Sequence, residues 1–173
     1  IRSAELGSRH TLPLSLVLDK RGIYFDASKP SDLECLLNEH DFSASPDLLS
    51  ASAGLLKLMR SLKLSKYNLP SLQSADQILG PRISRRILVI GQVEADASIL
   101  HGLGEGWTNL RLIELAMQEN PDAEVIYRPH PDVAQGFRGN AHTVTTLAQL
   151  CRVLTDDVML GDLFQAVDHV YTL

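Results

Sequence analysis

A histidine held between two prolines is the strongest chemical signal in this sequence. His130 lies between Pro129 and Pro131, two positions after Arg128. Imidazole and guanidinium groups donate hydrogen bonds to phosphate oxygens and stabilise the charge that develops as a nucleotide leaves. Each proline ring fixes its own φ and restricts the residue before it, so a stiff backbone aims the imidazole. The same pattern also fits a histidine that merely ends a strand.

A second polar segment follows an apolar run that ends at Gly91. Gln92, Glu94 and Ser98 can hydrogen-bond a ribose, a base or a sugar hydroxyl. Alternatively, Asp96 and Ser98 cap a short helix. Two carboxylates without a third ligand do not predict a metal site.

The glycines of this region do not form a known phosphate-binding loop. Gly102, Gly104 and Gly106 come eleven or more residues after Gly91, so the G-x-G-x-x-G fingerprint is absent, as is G-x-x-x-x-G-K-[ST]. Glu105 and Asn109 either cap the helix that follows or face the same cleft as the other polar residues.

The apolar pattern predicts the elements that position these side chains. Residues 87–91 read as a buried strand, 109–118 as an amphipathic helix and 125–127 as a second strand, which together form a βαβ unit. In open α/β sheets, ligands bind beyond the carboxyl ends of the strands, where both polar segments lie. The remaining predicted elements are a strand at 143–145, helical turns at 147–154, a helix at 158–167 and a strand at 169–173.

The first part of the chain predicts a smaller α/β piece. Apolar runs at 12–18 and 23–25 indicate a hairpin, and Ser28 or Ser31 is a candidate N-cap for the helix that follows. Residues 46–64 keep a helical period, and we expect this amphipathic helix to pack in the core. Residues 69–85 are rich in helix breakers and predict a connection. We therefore expect domains at 1–80 and 81–173, the second a Rossmann-like doubly wound sheet.

Composition excludes several classes of protein. The 173 residues are 45% hydrophobic and 21% charged, with a formal net charge of −5. This balance argues against a nucleic-acid-binding protein, which needs a cationic face. No run is apolar enough to span a bilayer, and no export signal is visible at the start. Cys35 and Cys151 lack metal-ligand spacing and predict reduced, buried thiols.

Four blocks of sequence, taken in order, resemble the capsule polysaccharide biosynthesis family. They lie at 12–26, 64–68, 87–98 and 120–133. The family includes the retaining β-Kdo transferases of Gram-negative capsule assembly. The resemblance implies a GT-B glycosyltransferase, with two Rossmann-like lobes and a donor cleft between them.

The resemblance also implies the ligands and the roles of the site residues. The donor would be CMP-Kdo, with no further cofactor, and the acceptor a lipid-linked Kdo linker at the inner membrane. His130, followed by Pro131, would contact the CMP phosphate. Gln92, Glu94 and Ser98 would line the cleft, and Arg128 stands where the family often has Lys. We further expect a cytoplasmic protein, peripheral to the inner membrane, that works with other capsule assembly proteins.

The resemblance covers the middle of a transferase module. The family's acidic Glu-Asp-Gly motif would lie immediately before Ile1, and its Ser-containing phosphate-binding segment would follow Leu173. We therefore expect little or no transfer by these residues alone. One alternative is a non-catalytic binding or scaffolding domain in capsule assembly or export, and another is a nucleotide-sugar epimerase of similar architecture.

Overall fold

The computed structural model describes residues 2–6, 15–65, 73–140 and 142–173, which belong to two units at 1–68 and 69–173. The units therefore divide at Asn68, twelve residues before the end of the first predicted domain. The described residues of the first unit form an antiparallel strand pair and three helices. Its elements are β1 (Arg2–Leu6), β2 (Ser15–Asp19), α1 (Asp32–Glu39), a 3₁₀ helix (Phe42–Ala44) and α2 (Pro46–Ser61).

The hairpin predicted between residues 12–18 and 23–25 is wrong. β2 pairs with β1, and residues 23–25 form no strand, since Ile23 makes only an isolated bridge to Asp26. The turn expected at residues 19–22 does form, because the buried Asp19 carboxylate accepts hydrogen bonds from the backbone N–H of Arg21 (2.9 Å) and Gly22 (2.8 Å). The chain after this turn bends again between Ile23 and Asp26 and does not extend along β2. Residues 12–14 of the predicted run lie outside the described residues.

The helices of the first unit begin where the sequence predicts. Ser31 caps α1 in a capping box with Glu34, which satisfies two backbone N–H groups that the helix leaves open. Helix α2 matches the predicted helical period, but none of its residues is buried. The expected core role of α2 is therefore wrong for the described part of the chain, in which the apolar side chains of α2 stay exposed.

The second unit is an α/β fold built on a parallel sheet, as the sequence predicts. Its strands are β3 (Arg86–Ile90), β4 (Glu124–Arg128), β5 (Arg152–Val153) and β6 (His169–Thr172), in the spatial order β5-β4-β3-β6. Every neighbouring pair in this sheet is parallel. Its helices are α3 (Ala75–Leu79), α4 (Ala97–Gly102), α5 (Asn109–Glu119), α6 (Pro131–Ala134), α7 (Val144–Leu147) and α8 (Leu160–Ala166).

Helices cover both faces of the sheet. On one face, α5 and α7 bury Ile113 and Leu147 against Val89 of β3 and Tyr127 of β4. The second core cluster packs α3 and α8 against β3 and β4 from the other side; its buried members are Ala75, Leu79, Leu88, Ile126, Leu154, Val158 and Leu163. Successive side chains of a strand point to opposite faces, so the continuous apolar runs of β3 and β4 supply both clusters.

Three elements of the second unit differ from the sequence prediction. The expected connection at 69–85 contains α3, which Ser74 and Gln77 start with a capping box. The expected strand at 143–145 opens helix α7, because the Thr143 side chain accepts a hydrogen bond from the backbone N–H of Thr146. The expected helical turns at 147–154 end early, and the chain pairs with β4 as β5.

A shared carboxylate joins the sheet to α3 at the amino ends of the strands. Glu124 accepts hydrogen bonds from Arg86 Nε and Arg152 Nη1, both at 2.9 Å. The Arg86 side chain is only 2% exposed, and its Nη2 also donates to the carbonyl oxygens of residues 79–81. Burial opposes ionisation of Glu124, but the hydrogen bonds from Arg152 and Arg86 outweigh it and lower the pKa of this carboxyl group.

We expect Glu124→Gln to lower the free energy of unfolding by about 2 kcal/mol at neutral pH, because it leaves the buried Arg86 guanidinium without its anion. Because folding lowers the pKa of Glu124, its ionised carboxylate stabilises the fold above the ordinary value of 4.5. This contribution to stability is lost as the pH falls. The variant should therefore lose less stability than wild type between pH 6 and pH 3. Denaturant unfolding across this range measures both effects. Glu114→Gln, at an exposed position of α5, is the control, and an equal loss in both variants would contradict the role of Glu124.

Candidate functional site

The strand order reverses direction at β3, between β4 and β6. From β3 the chain moves to β4 and β5 on one side of the sheet, and then returns to add β6 on the other side of β3. Crossover connections that leave a strand pair in opposite directions open a cleft beyond the carboxyl ends, where doubly wound proteins bind ligands. Ile90, the last residue of β3, lies opposite Arg128 of β4 and Thr172 of β6. Both polar segments predicted from the sequence start at this edge.

His130 is held as the N-cap of α6. Its Nδ1 accepts a hydrogen bond from the backbone N–H of Asp132 at 3.1 Å, and the imidazole is half-buried. In a neutral imidazole one nitrogen accepts and the other carries the proton, so this bond assigns the proton to Nε2. Pro131 occupies the first turn of α6, where its fixed φ suits a helix start. The sequence features on both sides of His130 thus fix the orientation of its ring.

Arg128 places a cation at the same edge. Its Nη1 is buried and has no hydrogen-bond partner among the residues that the structure describes. Burial lowers the pKa of the guanidinium, and the nearby charge of Asp157 opposes that change. A buried donor without a partner costs free energy, and buried polar groups nearly always find one. Arg128 is therefore a strong candidate for binding an anionic ligand.

Gln92 connects the ends of β3 and β6. Its Nε2 donates to Thr172 Oγ1 at 3.0 Å, which joins the segment after β3 to the last residue of β6. Gly91 precedes it, and a Cβ at this glycine would lie 2.7 Å from the buried Tyr127 ring. Only glycine therefore fits at position 91, where the chain leaves β3.

Glu94 and Asn109 tie the segment after β3 to helix α5. Glu94 Oε1 accepts hydrogen bonds from the backbone N–H of Asn109 at 2.7 Å and from its Nδ2 at 3.0 Å. A carboxylate at a helix N-terminus is favoured by the helix dipole. Glu94 lies at the predicted position, but these bonds use one of its carboxylate oxygens to hold the backbone.

Ser98 and Asp96 lie at the start of α4. Ser98 is exposed in the first turn, and Asp96 occupies the N-cap position without a side-chain capping bond. The capping alternative therefore does not describe Asp96. Its carboxylate instead pairs with Arg138 Nη1 at 3.3 Å, which connects α4 to the segment that follows α6.

The sequence did not identify two further residues at this edge, Thr172 and Asn140. Thr172 is the last residue of β6 but lies inside the strand predicted at 169–173, so the strand-end rule that identified Gln92 and His130 does not single it out. Asn140 donates to the Gln92 carbonyl at 3.0 Å and accepts from the Glu94 N–H at 3.0 Å. Nothing in the local sequence distinguishes Asn140 from an ordinary turn residue.

In the part of the chain that the structure describes, no three His, Cys, Asp or Glu side chains come together in an arrangement that could hold a metal ion. No helix there is both long and apolar enough to cross a membrane.

Relatives of known name match the chain along its whole length. The lipopolysaccharide-processing protein LpsZ of Rhizobium meliloti is 43% identical over 173 residues, which are 100% of this chain and 39% of LpsZ. The capsule polysaccharide modification protein LipA of Neisseria meningitidis is 33% identical over 174 residues, which cover 100% of this chain and 24% of LipA. The chain thus spans less than half the length of either relative.

Two solved structures are similar to this chain in both fold and sequence. The β-Kdo 2,4 transferase KpsC of Thermosulfurimonas dismutans superposes with a TM-score of 0.78 and 31% identity, over 96% of this chain and 51% of that chain. The β-Kdo 2,7 transferase KpsC of the same organism gives a TM-score of 0.63 and 30% identity, over 99% of this chain and 50% of that chain. The family model for capsule polysaccharide biosynthesis proteins matches residues 50–173, including the whole candidate site. With most of its length matched by that model, the chain belongs to the capsule polysaccharide biosynthesis protein family.

Proposed function

We propose that the second unit binds the donor of a GT-B Kdo transferase, and that this donor is CMP-Kdo. The observation that carries the proposal is the buried Nη1 of Arg128, which lacks a partner among the described residues at the strand edge from which His130 also projects. The likeness to KpsC, whose name is that of a β-Kdo transferase, supports the choice of Kdo as the sugar. His130 is the catalytic residue, and Gln92, Glu94, Ser98, Arg128 and Pro131 form the donor site.

Transfer of Kdo from CMP-Kdo requires stabilisation of the leaving phosphate. The bond that breaks joins the anomeric carbon of Kdo to a phosphate oxygen, and its electron pair goes to that oxygen. CMP therefore leaves with one more negative charge than it carried in the donor. Donors already aimed at such a charge stabilise the transition state more than the ground state. The Nε2 proton of His130 and the Arg128 guanidinium are the donors that this chain supplies.

The other donor-site residues suit the uncharged parts of a nucleotide sugar. The Gln92 amide and the Thr172 hydroxyl lie together at the carboxyl ends of the strands and offer both donors and acceptors to sugar or ribose hydroxyls. Ser98 adds an exposed hydroxyl on α4. Because the Arg128 cation and the Nε2–H of His130 both act on the phosphate, the proposed reaction uses no further cofactor.

The names of the relatives support a proposed setting for the reaction. LipA and LpsZ are named for capsule and lipopolysaccharide processing, so we propose a lipid-linked acceptor at the inner membrane and other capsule assembly proteins as partners. An activated cytidine nucleotide places the reaction on the cytoplasmic side, with the protein peripheral to the membrane.

Calorimetry with CMP tests the donor site directly. We expect wild type to bind CMP and His130→Ala to bind it at least tenfold more weakly, because a hydrogen bond to a charged group contributes about 1.5–3 kcal/mol. His169→Ala is the matched control, since His169 begins β6 at the opposite edge of the sheet and should leave the affinity unchanged. An absence of CMP binding by wild type would favour a scaffolding domain instead.

Arg128 should show opposite effects on stability and on binding. We expect Arg128→Met to raise the free energy of unfolding by about 1 kcal/mol, because it removes a buried donor that has no partner. The same variant should bind CMP about tenfold more weakly. Arg152→Met should instead destabilise the fold, since its guanidinium bonds Glu124 and two carbonyl oxygens of α3. Loss of stability without loss of affinity in Arg128→Met would refute its role.

Complete transfer should need more of the protein than these 173 residues. The chain covers 51% of the KpsC structure that it resembles, so the donor unit alone supplies part of that architecture. We expect little or no product from CMP-Kdo and a lipid-linked Kdo acceptor with this chain, under conditions where it binds CMP. Mass spectrometry of the acceptor measures the outcome, and robust turnover would contradict the expectation.

A further inference from the structure

We propose that Asn109 and Asn140 are positioning residues: Asn109 holds the segment after β3 to α5, Asn140 holds it to the segment after β4, and together they set the affinity of the donor site. This asparagine clamp rests on the proposed function, because it acts on the segments that carry Gln92 and His130. Neither asparagine needs to touch the ligand for this role.

Asn109 holds the segment after β3 through its whole amide group. Its Oδ1 accepts from the Gln92 N–H at 2.8 Å, and its Nδ2 donates to the Gln92 carbonyl at 2.9 Å. The second Nδ2 hydrogen bonds Glu94 Oε1 at 3.0 Å. Asn109 is only 1% exposed, so each of these bonds replaces water that cannot reach the site. A side chain with one acceptor and two donors is required here, and only an amide provides it.

Asn140 joins the other polar segment to the same backbone. Its Nδ2 donates to the Gln92 carbonyl and its Oδ1 accepts from the Glu94 N–H, both at 3.0 Å. Asn140 ends the stretch of chain that starts at His130 and passes through α6. The ion pair between Arg138 and Asp96 makes a second link between the same two segments.

The clamp therefore holds the two halves of the donor site in one arrangement before a ligand arrives. Binding to an ordered site avoids the entropy cost of fixing flexible segments, which raises affinity without a new contact. If the clamp is broken, Gln92 and His130 must be ordered when the ligand binds, and the affinity falls.

The experiment compares Asn109→Asp with wild type by CMP calorimetry from pH 5 to pH 8. The substitution keeps the acceptor for the Gln92 N–H but turns a carboxylate oxygen toward the Gln92 carbonyl and the Glu94 carboxylate. We expect at least tenfold weaker binding than wild type at pH 8. The ratio should shrink as the pH falls, because burial and the Glu94 charge favour the protonated acid, which can donate one of the lost bonds.

Other titrating groups near the clamp do not mimic this result. Burial and the charge of Glu94 raise the pKa of Tyr127, so its hydroxyl stays neutral over the range. Each comparison is made at one pH, with His130, the Asp96–Arg138 pair and the CMP phosphate present in both proteins. Asn140→Asp loses the donor to the same carbonyl and should give the same pH pattern, and it keeps the test available if Asn109→Asp fails to fold.

Asn120→Asp is the matched control at the other end of α5. Asn120 Nδ2 donates to the Ala116 carbonyl and to Tyr171 Oη, away from the donor site. It should lose stability and keep wild-type affinity at every pH. Wild-type binding with a flat ratio for Asn109→Asp and Asn140→Asp, or an equal loss in Asn120→Asp, would overturn the clamp alone. Failure of wild type to bind CMP would overturn the proposed function and the clamp with it.

Discussion

The parallel pairing of β3 on both of its edges is the constraint from which the site follows. β4 and β6 both run parallel to β3, and their registers place Arg128 and Thr172 opposite Ile90. The side chains of β3 and β4 fill the cores on both faces of the sheet, so a shift of register would disrupt the packing of both clusters. The residues that follow the three strands are consequently brought to one edge.

The arginines at the two edges of the sheet differ in their hydrogen-bond partners. At the amino edge, Arg86 is buried but shares Glu124 with Arg152 and bonds three carbonyl oxygens. At the carboxyl edge, Arg128 keeps a buried nitrogen without a partner in the described part of the chain. The free-energy cost of a buried donor without a partner therefore falls on Arg128, at the edge where a ligand can supply the missing acceptor. This contrast is why we assign the phosphate to the carboxyl edge.

Much of the second unit could be predicted from local sequence, and much of the first could not. The runs at 87–91 and 125–127 are too apolar for anything except strands buried on both faces, and their ends identify Gln92, Arg128 and His130. Thr143, in contrast, belongs to a β-branched triplet that suggests a strand, yet its hydroxyl caps α7. The choice between strand and cap depends on what lies nearby in space, and a short segment carries no record of that.

The amino-acid sequence alone determined the βαβ unit, the stiff His130 turn and the family resemblance, because these depend on periodicity, proline geometry and residue identity within short stretches. Only the tertiary structure decided that Thr172 faces Gln92, that Asn140 binds the segment after β3, and that an Arg128 nitrogen is buried without a partner among the described residues. Such contacts join residues 48 and 80 positions apart. They exist because the sheet aligns its strand ends, and no local pattern encodes which ends meet.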